Sequence, residues 1–300
     1  MTSARDDLGA PHATLLSNGR YRVLLTDAGA GMSAWEDIAL TRWAEDGTRD
    51  ADGLACLVQD LDRQLIWSAG RHPVGGDPVA YHARRGPGRA QIVREDHGIE
   101  TRLDCTVFPD LDGEIRLLTL VNQGSEPRRL AVTSYVDVAL NYPAADTAHP
   151  AFSKLFVQTE YVTPADVLLA RRRPRSPDEP PSYLGHALWV EGQARRRDSE
   201  FETDRARFIG RGRSLAGAIA LEQGHILSRA EGSVLDPVLS FRRVVHIRPG
   251  ASVCLVALLV SGRDRQRIVE GLAPPSARQL RQAFRDRKST RLNSSHPYRS

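Results

Sequence analysis

The chain has 300 residues, 41% of them hydrophobic, enough to bury one large core or two small ones. Its 41 basic and 37 acidic residues leave a formal charge of +4, which by itself invites a nucleic-acid or anionic-surface reading. Composition excludes collagen, a coiled coil, a disulfide scaffold, an integral membrane protein and wholesale disorder. Only Lys154 and Lys288 are lysines, an arginine bias that a GC-rich genome produces and that says little about partners. The longest apolar run, residues 253–260, is far too short to span a bilayer. The first residues carry no apolar run of the signal-peptide kind, so the expected compartment is the cytoplasm. Cys56, Cys105 and Cys254 are widely spaced and fit no zinc pattern. They read as small buried residues in a reduced compartment.

Residues 1–14 are polar and without period, a frayed segment. Residues 21–26 (YRVLLT) are β-prone and stop at Asp27-Ala28-Gly29-Ala30-Gly31. Further strands are expected at 54–61 and 65–68. Residues 89–95 and 99–107 flank Asp96-His97-Gly98, a hairpin turn. Residues 114–122 and 129–138 flank Gln123-Gly124-Ser125-Glu126-Pro127, read as a second hairpin. In the latter strand Leu130, Val132, Ser134, Val136 and Val138 share one face. Later strands fall at 155–162, 167–172, 184–190, 239–247 and 251–260, the last two separated by Pro249-Gly250. Helical period is confined to 264–272 and 276–284. The Pro-rich, charged segment 171–182 and the run Arg195-Arg196-Arg197-Asp198 read as exposed connections. Roughly a dozen strands joined by short turns predict an all-β, antiparallel architecture of two large sheets. No βαβ alternation supports a doubly wound nucleotide fold.

The tail 286–300 (DRKSTRLNSSHPYRS) adds nothing to a core. Its first eleven residues resemble one reading frame of a sequencing adapter, so the tail is taken as disordered read-through and the natural chain is expected to continue past about residue 285. Without it the charge is 37 − 36 = +1. The expected organisation is a β-sandwich over 15–262 followed by a helical linker over 263–285.

Catalytic signatures are absent from the residue patterns. Gly29-Ala30-Gly31 lacks the residues a phosphate loop needs and reads as a tight turn, as does Gly210-Arg211-Gly212-Arg213. The nine histidines have no metal-ligand spacing, and neither G-x-S-x-G nor H-E-x-x-H occurs. No catalytic residue, metal or cofactor is assigned. Trp35, Trp43 and Trp67 lie among Arg42, Glu45, Asp46, Arg49 and Asp50, a mixture suited to sugar faces and hydroxyls or, equally, to a packed core. His149 with Asp146 or Glu160 is the one His–carboxylate grouping that could serve an enzyme.

Longer patterns are more specific. Residues 15–21 (LLSNGRY), 27–31, 33–35 and 40–50 (LTRWAEDGTRD) run in order with 143–157 (PAADTAHPAFSKLFV), 173–180, 202–213 (ETDRARFIGRGR) and 234–237 (VLDP). Over residues 12–272 they resemble the N-terminal β-supersandwich of the sugar phosphorylases of glycoside hydrolase family ninety-four, in the version carried by bacterial cyclic β-1,2-glucan synthases. Met32 and Asp52-Gly53 depart from that pattern, which has an aromatic and Trp-Gly there. The resemblance implies a galactose-mutarotase-like supersandwich beside a separate (α/α)6 barrel that holds the general acid and phosphate contacts. It implies a non-catalytic carbohydrate-binding or scaffold domain. The expected partners are a β-glucan or oligosaccharide, the barrel of the same parent chain and a second copy in a homodimer. Nucleic acid and membrane contact by this segment are not expected, although the parent is expected at the bacterial inner membrane. The substrate-binding or interdomain residues on this reading are Trp35, Arg42, Trp43, Glu45, Asp46, Arg49 and Asp50 in one loop. His149, Lys154, Asp204, Arg205 and Arg211 form a second group. The alternative is a self-contained mutarotase-like or hydrolytic sugar enzyme on the same sandwich.

Overall fold

The computed structural model describes residues 12–43, 52–174, 176, 179–193 and 199–284. Strands β1 (Ala13–Ser17), β2 (Tyr21–Thr26), β3 (Gly31–Trp35), β4 (Ile38–Thr41), β5 (Leu54–Asp60) and β6 (Leu65–Ser68) open the chain. They are followed by β7 (Ala80–Gly86), β8 (Arg89–Asp96), β9 (Ile99–Val107), β10 (Gly113–Asn122) and β11 (Arg128–Asn141). Two short helices, α1 (Pro143–Ala148) and α2 (Pro150–Lys154), lead to β12 (Val157–Val162), β13 (Val167–Arg172), β14 (Ser182–Val190) and β15 (Glu200–Asp204). Then come α3 (Arg205–Ile209), β16 (Pro237–Ile247), β17 (Ser252–Gly262), α4 (Arg265–Gly271) and α5 (Ala277–Ala283).

The strands form two sheets. One runs β1-β2-β3-β4-β11-β16-β15, with β5 also paired to β11 and β6 to β5; the other runs β12-β13-β14-β17-β10-β9-β8-β7. Each described pairing is antiparallel. The all-β, two-sheet expectation therefore holds. Alternation explains it locally: in β2, Tyr21, Val23 and Leu25 are buried and the residues between them half-buried. The turn between β8 and β9 is the expected two-residue one, with φ of 52° at His97 and 78° at Gly98, as a twisted hairpin requires.

The second expected hairpin is not one. β10 pairs on its two edges with β9 and β17, and β11 lies in the other sheet. The Gln123–Pro127 link crosses between the layers, as does the Pro249-Gly250 turn between β16 and β17. Asn122 fastens both crossings: its Nδ2 donates to Glu126 O (2.7 Å) and Ile247 O (3.1 Å), and its carbonyl accepts from Gly250 N (2.8 Å). Turn residues in a sequence mark a reversal; they do not say whether the returning strand pairs or crosses. Helices α1, α2 and α3 were also unforeseen. Each is six residues or fewer, too short to show a 3.6-residue period. Trp35, read as a loop residue, ends strand β3.

The main core lies between the sheets and includes Tyr21, Leu40, Trp67, Ile92, Leu118, Val136, Leu188, Phe241 and Leu259. A second apolar layer coats the outer face of the eight-stranded sheet, where α4 and α5 bury Ile268, Leu272 and Ala283 against Val167, Leu169, Ala187 and Val260. Trp189 Nε1 donates to Leu272 O (2.9 Å) there. A third covers the outer face of the other sheet, with Phe208, Ile209, Leu215 and Leu221 over Leu57, Tyr135 and Val238. Burial on both faces explains why β17 reads as an unbroken apolar run. Cys56 and Cys105 are buried as expected; Cys254 is half-buried.

Polar groups in the interior are linked by side-chain hydrogen bonds and one buried ion pair. Trp67 Nε1 donates to Thr101 Oγ1 (2.9 Å). His186 Nδ1 donates to Leu258 O (2.9 Å), which leaves Nε2 to accept from Ser134 Oγ (2.7 Å); Ser134 Oγ in turn accepts from Phe241 N (3.0 Å). Burial pushes the His186 imidazole down to about 4, with the Leu258 carbonyl opposing. Nearer one end, Glu114 and Arg116 form a buried pair (3.4 Å), with Ser33 Oγ donating to Glu114 (3.1 Å) and Arg116 donating to Leu54 O (2.6 Å). Burial holds the Glu114 carboxyl above its usual range, and Arg116 opposes this.

Unfolded His186 takes up its proton below about pH 6.5, whereas the folded ring stays neutral down to about 4. Stability from this group is thus complete above pH 6.5 and falls by about 3 kcal/mol as the pH drops towards 4. Urea unfolding of His186→Gln should show a shallower acid loss over that window; an unchanged slope would remove His186 from the explanation. Glu114→Gln strands a buried guanidinium and should cost about 3–5 kcal/mol, while adding Arg116→Met should restore much of it. Equal cost in the single and double variants would contradict the pairing.

Candidate functional site

β11 is paired along 128–137 with β16 on one edge, and on the other with β5 over 130–136 and then β4 at Val138 and Asn141. Beyond the change of partner, the β4 pairing shifts register between Val138 and Asn141, where Leu140 takes φ of 47°. Asp137 sits at that handover. Arg42, just past the end of β4, donates through Nη1 to Asp137 Oδ1 (2.6 Å) and through Nε and Nη2 to both oxygens of Asp146 (3.0 and 3.2 Å). Asp146 is carried by α1, which opens with Pro143 at a position where the missing N–H costs nothing. Lys154, the last residue of α2, pairs with Asp236 (2.6 Å) just before β16. Arg205, the first residue of α3, donates to Tyr135 Oη (3.2 Å) and lies 3.7 Å from Asp137 and 3.8 Å from Asp236.

Three cations therefore face three carboxylates on one outer patch. Arg205 is the open member, its side chain 41% exposed; the other five range from 11% to 23%. Burial holds the Asp137 carboxyl above the usual range, the nearby Asp236 charge adds to this, and Arg42, Lys154 and Arg205 oppose it. The patch offers both donors and acceptors in a partly dry setting, which suits hydroxyl recognition. Among the described residues no group of three His, Cys, Asp or Glu is placed to hold a metal ion.

The two sequence-predicted groups meet here only in part. Arg42 from the first and Lys154 and Arg205 from the second share the patch. Trp35 does not: it is buried, its Nε1 donates to Asp112 (2.9 Å), and Arg263 lies over its ring at 5.6 Å. Trp43 is half-buried after β4. Glu45, Asp46, Arg49 and Asp50 lie outside the described residues. Asp204 caps α3 by accepting from Ala206 N (2.9 Å), and Arg211 is exposed on the following turn. His149 is exposed between α1 and α2, while Asp146 is held by Arg42 and Glu160 by Arg265, so these three do not share partners. Sequence reasoning missed Asp137, Asp236 and Tyr135. Asp137 was visible as a charge set between Val136 and Val138 in the apolar half of its strand.

Two antiparallel sheets, each coated outside by a further apolar layer, define a supersandwich. The family model for the supersandwich domain of glycosyl hydrolase 94 matches residues 1–274, and the chain belongs to that family. It is 36% identical over 252 residues to the cyclic beta-(1,2)-glucan synthase NdvB of Rhizobium meliloti (strain 1021), a match covering 84% of this chain and 9% of that protein. It is 21% identical over 264 residues to N,N'-diacetylchitobiose phosphorylase of Vibrio proteolyticus, covering 86% of this chain and 32% of that one. The chain thus spans a third or less of the length of these relatives. A solved bacterial glucoamylase in complex with acarbose superposes with a TM-score of 0.50 at 8% identity, over 88% of this chain and 35% of that one, a likeness of fold. Among the described residues no helix is long and apolar enough to cross a membrane.

The patch predicts unequal costs. Arg42→Met removes three hydrogen bonds from two largely buried carboxylates and should cost about 2–3 kcal/mol in chemical unfolding. Arg205→Gln, at a side chain 41% exposed, should cost under about 1 kcal/mol. The reverse ranking would mean that Arg42 does not hold the patch together.

Proposed function

We propose that this chain is a non-catalytic carbohydrate-binding and scaffold supersandwich of a cyclic β-1,2-glucan synthase or a related β-glucoside phosphorylase. It supports glucan processing by a catalytic barrel carried elsewhere in the parent, and the patch around Arg42, Asp137 and Arg205 is its saccharide-facing or interdomain surface. The observation that carries this reading is the pairing of the patch. Each carboxylate there, Asp137, Asp146 and Asp236, is engaged by a cation, an arrangement for shape and hydrogen bonding and not for proton transfer. Similarity to a glucan synthase over most of this chain supports a β-glucan as the saccharide.

One feature favours the alternative of a self-contained sugar enzyme: the Asp137 carboxyl is held above its usual range, as a general acid needs. The two readings separate in one assay. The chain is incubated with β-1,2-glucan, with and without phosphate, and glucose 1-phosphate, reducing ends and the rate of glucose anomer exchange are followed. None should rise above the uncatalysed rate. Turnover that Asp137→Asn abolishes in a folded protein would replace the scaffold reading with the enzyme.

A further inference from the structure

Glu114 and Arg116 lie two residues apart on β10, so they share the strand face that carries Leu118 and Leu120 into the space between the sheets. They are 0% and 1% exposed there. Three groups from the opposite sheet meet them: Ser33 on β3, Leu54 on β5 and Tyr21 on β2. Half of the pair's hydrogen bonding is direct. Ser33 Oγ donates to Glu114 Oε2 (3.1 Å), and Arg116 Nη1 donates to Leu54 O (2.6 Å). The other half is not. Glu114 Oε1 and Arg116 Nη2 stand 3.4 Å apart without completing a hydrogen bond, and Arg116 Nε has no protein partner. Tyr21 Oη lies beside Ser33, yet it too meets no protein group at hydrogen-bonding geometry. Four buried polar atoms around one ion pair are thus unmatched by the chain itself. Burial makes such atoms costly, and the charged ones most of all.

The atoms define what can match them. Glu114 Oε1 needs a donor, Arg116 Nε and Nη2 need an acceptor, and Tyr21 Oη serves as either. A simple anion only accepts and would lie against the Glu114 carboxylate. A cation only attracts acceptors and would lie against the Arg116 guanidinium. The charges of the pair cancel, so neither ion gains from a net field. Water donates and accepts at once. The neighbours are small as well: Ser33, Cys56 and Cys105 adjoin the pair, between sheets that stack about 10 Å apart.

We propose that this cluster is an interior hydration site, in which one enclosed water accepts from Arg116, donates to Glu114 Oε1 and reaches Tyr21 Oη. Enclosed waters ordinarily make about three hydrogen bonds to buried polar groups, which is the number offered here. The water turns the Glu114–Arg116 pair into a bridge that also holds β2 to β10. The site uses none of the charged-patch residues and does not depend on the carbohydrate reading.

The test is a crystal structure of the full chain at a resolution that shows ordered water, for wild type and Tyr21→Phe. Both should show density for one water within about 3 Å of Glu114 Oε1 and of Arg116 Nε or Nη2, because the two charged partners remain in each. In solution, oxygen-17 relaxation dispersion counts long-lived waters; the count should fall by about one in Glu114→Gln with Arg116→Met. Density in which Arg116 meets both Glu114 oxygens directly, with no water between, would overturn the site. An anomalous peak there after a bromide soak would make it an anion site and overturn the proposal equally. So would an unchanged count of long-lived waters in the folded double variant. Where that variant does not fold, the wild-type structure decides.

Discussion

The handover on β11 is the constraint on which the rest of this molecule depends. A fourteen-residue strand lies beside β16 on one edge and serves two successive partners, β5 and β4, on the other. Past the change of partner the β4 pairing shifts register, and Leu140 there adopts a left-handed conformation. An irregularity of this kind in an otherwise buried strand needs a tie. Arg42 supplies it by reaching back to Asp137 on the strand and forward to Asp146 on the helix that follows. From that tie come the position of α1, the packing of α2 against Asn141 and, through Lys154 and Asp236, the entry of β16.

The same tie shapes the chemistry of the surface. Pairing three carboxylates with three cations leaves a fixed array of donors and acceptors. The remaining openness is concentrated at Arg205. Across the sandwich the inner layer follows a related rule: the Ser134–His186 pair has its main donors and acceptors met within the core, so a histidine and a serine in contact there make a structural bridge and not a nucleophile.

Much of this was legible in the residues. β-prone runs bounded by turn residues placed β2, β8 and β9, alternation placed most of β11, and Asp96-His97-Gly98 named its own turn. Order along the chain was readable; order across the sheets was not. Gln123–Pro127 has every mark of a hairpin, yet β10 has both edges filled by strands far away in sequence, β17 among them. Short helices escaped for a different reason, since α1 and α2 are held by tertiary ties at Asp146 and Ser153 and not by an apolar stripe. At the site, Arg42, Lys154 and Arg205 were found through long shared patterns. Their partners Asp137 and Asp236 come from the end of β11 and the approach to β16, almost a hundred residues apart, and no spacing could have joined them. Trp35 looked like a sugar-stacking residue because aromatic faces serve cores and ligands alike. Only its burial and its bond to Asp112 decide between them.

The charges of the patch are committed to one another. A double-mutant cycle between Arg42 and Asp137, using Arg42→Met, Asp137→Asn and the pair in urea unfolding, measures this directly. A coupling of about 1–3 kcal/mol between the two positions is expected. Additive losses, within about 0.5 kcal/mol, would contradict it and leave Asp137 as a carboxylate free for chemistry.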